Sequence, residues 1–334
     1  MPDRNHLLWR KLAKAISGCE TSFEGFDDAE VLRQSSRHGV AQLLDLQIHA
    51  GSIGGLTVPT CKEINASTQA QVVFDLLLNH STSKALDLLA DHGICALLLK
   101  GTPLAHLYYP KTYLRPRCDV DVYIDEKHLN LCADLFADNG FQVSGIGERK
   151  YSSKQFVAFT QPVLNISIHF DIHWKLSNRV MFNNSLPFDS CGKASQPIPA
   201  LGSNAHALSP IDLLLHACIH RIAHGRNTAR NRLIWLYDIH LLSESLSDEE
   251  LEQLQKVARQ KKIGALCADA LETVHMLFAT RLPVKLTASL KENRLNEPSA
   301  KLIFSSKLRW AWADLQALSN IREKAAFARE LLFH

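Results

Sequence analysis

The chain has 334 residues, 46% of them hydrophobic, enough for about two or three packed units. Its 37 basic and 34 acidic residues leave a net charge of +3, too mild to demand a nucleic-acid partner. The eight cysteines are scattered, with no C-x-x-C pair, no run approaches ~18 apolar residues, and the amphipathic N-terminus lacks the apolar core of a signal peptide; a reduced cytoplasmic protein with no membrane span is expected.

Residues 1–92 read as an N-terminal helical region. Leu7, Leu8, Leu12 and Ile16 fit one face of a first helix. A second is predicted from Ala29 to His49, with Val31, Leu32, Val40, Leu43 and Leu44 mostly at helical spacing. Gly51 to Pro59 is a glycine-rich break. A longer helical segment follows from Lys62 to Asp91, with Gly93 placed as its C-cap. The region caps a sheet or walls an acceptor site.

Residues 93–180 alternate between strand and helix patterns. The apolar run Ile94 to Leu99 reads as a buried strand that turns at Lys100-Gly101-Thr102 into a short helix. A basic loop, Lys111 to Arg117, leads to a strand from Asp119 to Ile124. Strand side chains alternate, so Asp119 and Asp121 point the same way. Two such carboxylates repel unless a cation lies between them, and hard oxygen ligands suit Mg²⁺. The same crowding predicts that neutralising Asp121 raises stability without metal. Asp125 caps an amphipathic helix over Glu126 to Asn139, and Gly140 stops it. Phe141 to Ile146 reads as a short strand. Gln155 to Thr160 and Asn165 to Trp174 form a hairpin around Gln161-Pro162, and the clean alternation of its second arm puts His169, Asp171 and His173 on one face.

Residues 181–207 read as an irregular connector with Pro187, Pro197 and Pro199. Residues 208–334 read as a C-terminal helical domain. Ser209-Pro210 opens its first helix, whose apolar face is Ile211, Leu214, Leu215, Cys218, Ile219 and Ile222. Another helix runs over Asn231 to Ser245, Ser247 to Glu250 forms a capping box, and more helices are expected over 264–281 and 298–332. The fold class expected is α+β, a small mixed sheet flanked by an N-terminal helical region and a C-terminal helical bundle.

Several residues suit phosphate chemistry. Gly101 lets backbone approach a phosphate, Thr102 offers a hydroxyl and an N–H at a helix start, and Lys100 adds a charge. Arg115 and Arg117 can each act as a bidentate fork. Asp212, His216, His220 and His224 recur every fourth residue as one helical stripe. His216, His220 and Arg232 line a nucleotide or acceptor pocket, or else form a buried polar network with Asp238 paired to a cation. A zinc site on the stripe is a third reading. Arg221, Arg226, Arg230 and Arg232 make a local basic cluster.

Leu98-Leu99-Lys100-Gly101, Leu104, Tyr109-Pro110, Arg115, Asp119 and Asp121 together resemble the active-site core of the polymerase-β-like nucleotidyltransferases. Within that superfamily the pattern is similar to a nucleotidyltransferase-like family reading LLKG-x-x-L, Y-P and R-x-x-x-D-x-D. The resemblance extends more weakly to an Asp-x-His-Trp motif at Asp171, His173 and Trp174, and to Arg-Leu-x-Trp-x-x-Asp at Arg232, Leu233, Trp235 and Asp238. It implies transfer of an NMP group from an NTP, ATP first among them, to an acceptor hydroxyl. Asp119, Asp121 and Asp171 would be the catalytic residues and would hold two Mg²⁺ or Mn²⁺ ions, with Asp171 on a neighbouring strand. Lys100, Gly101, Thr102, Arg115, His216, His220 and Arg232 would bind the nucleotide. The acceptor implied is a small molecule, a peptide, a protein or an RNA end. This chain has Lys-Gly-Thr where many superfamily members have Gly-Gly-Ser or Gly-Ser, and its loop before Asp119 is longer. Two alternatives stand beside this reading. One is a non-catalytic nucleotide-binding regulator. The other is a metal hydrolase built on His169, Asp171, His173 and the His216/His220 stripe.

Overall fold

Gly39 divides the helix predicted over Ala29 to His49 into two in the computed structural model of the chain. The structure describes residues 4–145, 155–162, 165–224, 230–292, 294–303 and 307–333. Helix α1 is Arg4–Ile16, strand β1 Thr21–Ser22, α2 Asp28–His38, α3 Ala41–His49, β2 Ile53–Gly54 and α4 Val58–Asp91. At Gly39 φ is 70°, the left-handed conformation that lets its N–H and that of Val40 close on the carbonyls of Ser36 and Ser35. A Cβ there would also sit 3.2 Å from the Ile234 side chain, so glycine serves both the turn and the packing.

Helix α4 is 34 residues long and starts inside the segment read as a break. Pro59 stands in its first turn, where a missing N–H costs nothing. Its buried residues Ile64, Thr68, Asp75, Leu78, Thr82, Ala85 and Leu89 are three, four or seven positions apart, one stripe along the helix.

The sheet carries β3 Ala96–Leu99, β4 Asp119–Ile124, β5 Gln142–Ser144, β6 Gln155–Phe159, β7 His169–His173, β8 Gln196–Pro197 and β9 His206–Ala207, and helices α5 Gly101–Leu107, α6 Leu129–Asp138 and α7 Phe188–Lys193 lie between them. Ile146, placed at the end of a predicted strand, lies outside the described residues. Among the described residues the strand order is β5-β6-β7-β4-β3-β9-β8. β4 is antiparallel to β3 and parallel to β7, and β6 and β7 form the antiparallel pair predicted as a hairpin. The sheet is larger than the sequence suggests because residues 181–207 contribute β8 and β9, with β9 beside β3. Two-residue strands carry too few positions for an alternation to show. β3 and β4 are buried almost throughout, as central strands covered on both faces must be.

The C-terminal helices are α8 Pro210–His224, α9 Leu233–Ser245, α10 Asp248–Gln260, α11 Gly264–Phe278, α12 Leu286–Lys291, α13 Lys307–Ala317 and α14 Ile321–Phe333. Ser209 caps α8 by accepting the Asp212 N–H at 3.1 Å, and the Ser247/Glu250 capping box forms at α10. The start of α11 is capped from a distance. Buried Glu297 accepts the N–H groups of Gly264 at 3.1 Å and Ala265 at 2.7 Å. Among the described residues no helix is long and apolar enough to cross a membrane.

Buried ion pairs join these layers. Arg115 Nε donates to Asp238 Oδ1 at 2.8 Å and Nη2 donates to Oδ2 at 2.8 Å, while the Tyr109 hydroxyl donates to Oδ1 at 2.8 Å. Burial and the neighbouring Asp238 charge push the Tyr109 phenol well above its ordinary pKa, so it stays a donor. Arg117 meets Asp75 of α4 at 2.8 Å and Asn79 Oδ1 at 2.6 Å. The loop before β4 is thus fastened to α9 by one arginine and to α4 by the other.

Arg115→Met leaves the Asp238 carboxylate buried without its cation. We expect it to cost roughly 3–5 kcal/mol of unfolding free energy, read by urea denaturation. A loss below about 1 kcal/mol, the range of exposed pairs, would show that the pair does not hold the layers together.

Candidate active site

The strand register builds the site. Asp121 lies opposite Asp171 and Asp119 opposite His169, because β4 and β7 run parallel. Alternation then puts all four, with His173, on one face of the sheet. Lys100 closes the arrangement from the end of β3. Its backbone has φ 53° and ψ −124°, a conformation that favours glycine, and its ammonium pairs with Asp121 Oδ1. His173 Nε2 reaches the same oxygen at 2.8 Å. Gln155 on β6 donates to Asp171 Oδ2 at 2.7 Å, and Asn178 donates to Gln155 Oε1 at 3.0 Å, which orients the amide. Ligand-type atoms of Asp121, Asp171 and His173 all lie within 4.8 Å of one another. Asp119 lines the same cleft but stands outside that group.

Like charges at this spacing change the carboxyl groups unequally. Burial, then the Asp121 charge, pushes Asp119 up to about 6. Burial and Asp121 also raise Asp171. At Asp121 burial acts upward too, but the Lys100 ammonium and the His173 hydrogen bond outweigh it and hold the group below the usual carboxylate range. Burial lowers Lys100 in turn, and the Asp121 charge more than restores it. This corrects the expectation that neutralising Asp121 is stabilising. Among the described residues Asp121 is the member of the crowded set that pairs with a cation, and removing its charge leaves Lys100 buried without that partner. The crowding falls on Asp119 and Asp171 instead.

These residues form the floor of a cleft of about 660 Å³, within the range of small-molecule sites. Ser36, Gln42, Ser67 and Gln71 line it from the N-terminal helices, and His220, Arg232 and Trp235 from the C-terminal ones. Gly101 also lines it. A Cβ at Gly101 would lie 3.3 Å from Arg117 Cβ and 3.5 Å from Arg115 Nη1, so the turn is tight against the basic loop. Thr102 is 1% exposed and sits behind the turn, its Oγ1 buried without a hydrogen bond.

The cations expected at phosphate divide sharply. Arg115 and Arg117 both line the cleft, but each is bound to a buried carboxylate. Arg232 lies over the Trp235 ring, 5.2 Å from its centroid, with its Nε buried and without a hydrogen bond. Burial, then Arg115, lowers its pKa, a sign that it lacks the compensation Arg115 has. His220 lines the cleft and meets the Trp235 ring edge-on at 4.8 Å. His216 is buried one turn away, beside a small void shared with Lys100, Arg115 and Asp238. Asp212 pairs with Ser209 at the start of the helix. The side chain of His224 and all of Arg226 lie outside the described residues. Among the described residues the group able to hold a metal includes neither His216 nor His220.

Gln155 and Asn178 are the site residues that the sequence reading missed. Alternation did place His173 beside Asp171, but its bond to Asp121 depends on the parallel pairing of two distant strands.

No curated protein matches the chain. A family model described as uncharacterised nucleotidyltransferase matches residues 24–279, a span that contains the sheet, the carboxylates and every residue lining the cleft. The chain therefore belongs to that nucleotidyltransferase family.

Proposed function

We propose that this protein is a metal-dependent nucleotidyltransferase that moves an NMP group from an NTP to an acceptor hydroxyl and releases pyrophosphate. The observation that carries the reading is the Asp121–Asp171–His173 group, whose two carboxylates line a nucleotide-sized cleft in a chain of this family. The donor set fits a hard divalent cation, Mg²⁺ or Mn²⁺, which Asp119, Asp121 and Asp171 would hold. Bound there, such a cation neutralises the charge that develops on the reacting phosphate.

The chain's own groups do the remaining work. Arg232 and His220 contact the phosphates, with the Gly101 turn allowing close approach of backbone. Lys100 keeps Asp121 ionised and in place. The acceptor oxygen attacks the α-phosphorus as the bond to pyrophosphate breaks. Its proton passes to the Asp171 carboxylate, whose raised pKa suits it to act as base. ATP is the first nucleotide to test. The acceptor is a small molecule, a peptide, a protein hydroxyl or an RNA 3′ end. We place the protein in the cytoplasm, where its eight free cysteines stay reduced.

His173 in the ligand group also favours a second reading, a hydrolase in which water replaces the acceptor. Tightly held Zn²⁺ in the purified protein, with no Mg²⁺ dependence, would select it.

Labelled NTPs incubated with cell extract and wild-type protein should yield a labelled acceptor that Asp121→Asn protein does not. Label released only as free nucleotide would count against the transferase. Asp121→Asn should also lower the melting temperature of the metal-free protein.

Asp119→Asn should act in the opposite direction on stability. Its folded pKa of about 6 lies above the unfolded value, so the folded state holds that proton more tightly. Its contribution is full below about pH 4 and is lost as pH rises to about 6. The Asn variant should therefore be the more stable at pH 7 and lose that advantage towards pH 4 in a series of thermal melts.

Arg232→Ala should weaken binding of a non-hydrolysable ATP analogue by roughly 1.5–3 kcal/mol, the value of a charged hydrogen bond, with folding intact. Unchanged affinity by calorimetry would remove Arg232 from the nucleotide site.

A further inference from the structure

We propose that this site takes one divalent ion, with the Lys100 ammonium serving as its second cation. The proposal rests on the nucleotidyltransferase reading and concerns how many ions that site holds. The superfamily resemblance implies two.

Two metal ions a few ångströms apart need at least one carboxylate that offers an oxygen to each. Asp121 is the candidate, since it lies between Asp119 on its own strand and Asp171 on the next. Its two oxygens are not equivalent. Oδ1 carries both the Lys100 ammonium and His173 Nε2. Among the described residues none donates to Oδ2. Asp171 is half engaged in the same way, with Oδ2 held by Gln155. Among the described residues, the oxygens without a donor are therefore one from Asp121, one from Asp171 and those of Asp119. That is a seat for one ion, and Lys100 sits on the other side of Asp121.

Charge leads to the same count. Among the described residues the three carboxylates are paired with one ammonium, that of Lys100, which leaves two negative charges for one divalent ion to balance. A second ion would have to displace Lys100 from Asp121 Oδ1. The Lys100 side chain is only 16% exposed, so withdrawing it from Asp121 strands an ammonium at the base of the site.

The backbone adds an independent observation. Lys100 has φ 53° and ψ −124°, where a side chain costs backbone energy that glycine avoids. A lysine in that conformation is justified by what its side chain does, and its side chain pairs with Asp121.

The test counts ions without reference to turnover. Mn²⁺ is titrated by calorimetry into wild-type, Lys100→Arg and Lys100→Met protein, alone and with a non-hydrolysable ATP analogue, and electron paramagnetic resonance reports whether bound ions are coupled as a pair. Wild-type and Lys100→Arg protein should hold one uncoupled ion, and Lys100→Met protein two, with the coupled signal. Lys100→Gly, which removes the ammonium and suits the backbone, should give the same count of two and serves if Lys100→Met does not fold. Two ions in the wild type would overturn the proposal and leave the transferase reading standing. One ion in both the wild type and the variants without the ammonium would also overturn it, because Lys100 would not set the count. No bound Mn²⁺ in the wild type under either condition would instead overturn metal dependence itself, and the proposal with it.

Discussion

Two carboxylates placed side by side on neighbouring buried strands set the terms for the rest of this structure. The parallel pairing of β4 with β7 forces Asp121 against Asp171, and the intervening chain cannot relieve that contact without breaking the sheet. Each partner around them answers the resulting charge. Lys100 and His173 take one oxygen of Asp121, and Gln155, itself held by Asn178, takes one of Asp171. What is left uncompensated appears as the raised pKa values of Asp119 and Asp171. Such an unresolved charge in a cleft is the usual mark of a binding site rather than of a structural network.

The arginines around the cleft show how position decides role. Arg115 and Arg117 lie two residues apart in a basic loop, and both border the cleft. Yet Arg115 is bound to Asp238 and Arg117 to Asp75, so the loop is basic in sequence and nearly neutral in space. These pairs tie the loop to α9 on one side and to α4 on the other, and so hold the strand with Asp119 and Asp121 between the helical layers. Arg232 lies on the same wall and none of the ion pairs among the described residues includes it. It keeps a charge that a phosphate can use. Its guanidinium also lies over the Trp235 ring, 5.2 Å from the centroid, a cation–π contact that helps to hold it in place.

What could be read from the sequence follows the range of each interaction. The helix caps at Ser209 and Ser247, the strand with Asp119 and Asp121 and the β6–β7 pair were legible because each depends on residues a few positions apart. The break at Gly39 was missed because Val40, Leu43 and Leu44 continue the apolar spacing and hide a single left-handed residue. The start of α4 was misplaced because glycines at 51, 54 and 55 drew the break past Val58. Strands β8 and β9 are two residues each and exist because β3 had an open edge beside them. At the site, the face shared by Asp171 and His173 was visible, while the partners of Arg115, Arg117 and Lys100 were not. Asp238 lies 123 residues from Arg115, and no periodic pattern carries information over that distance.

The inverted role of Asp121 shows why this limit matters for function. From the strand alone, Asp119 and Asp121 are equivalent, two like charges on one face. Lys100 makes them different by arriving from a neighbouring strand in a backbone conformation the sequence does not announce. Asp121 becomes a fixed anion whose position is locked by two donors, and Asp119 becomes the carboxyl group whose charge still depends on what binds. A site of this kind separates support from response. The locked residue preserves geometry on an almost wholly buried strand, and under the proposed function the unlocked residues are the ones left to meet a cation or substrate. The cost of holding Asp119 and Asp171 uncompensated is carried by the sheet core around them, where Val120, Val122, Phe170 and Ile172 on the opposite face are all essentially buried. The same four side chains that anchor the strands therefore let the other face keep charges that, on a less firmly packed sheet, would push the strands apart.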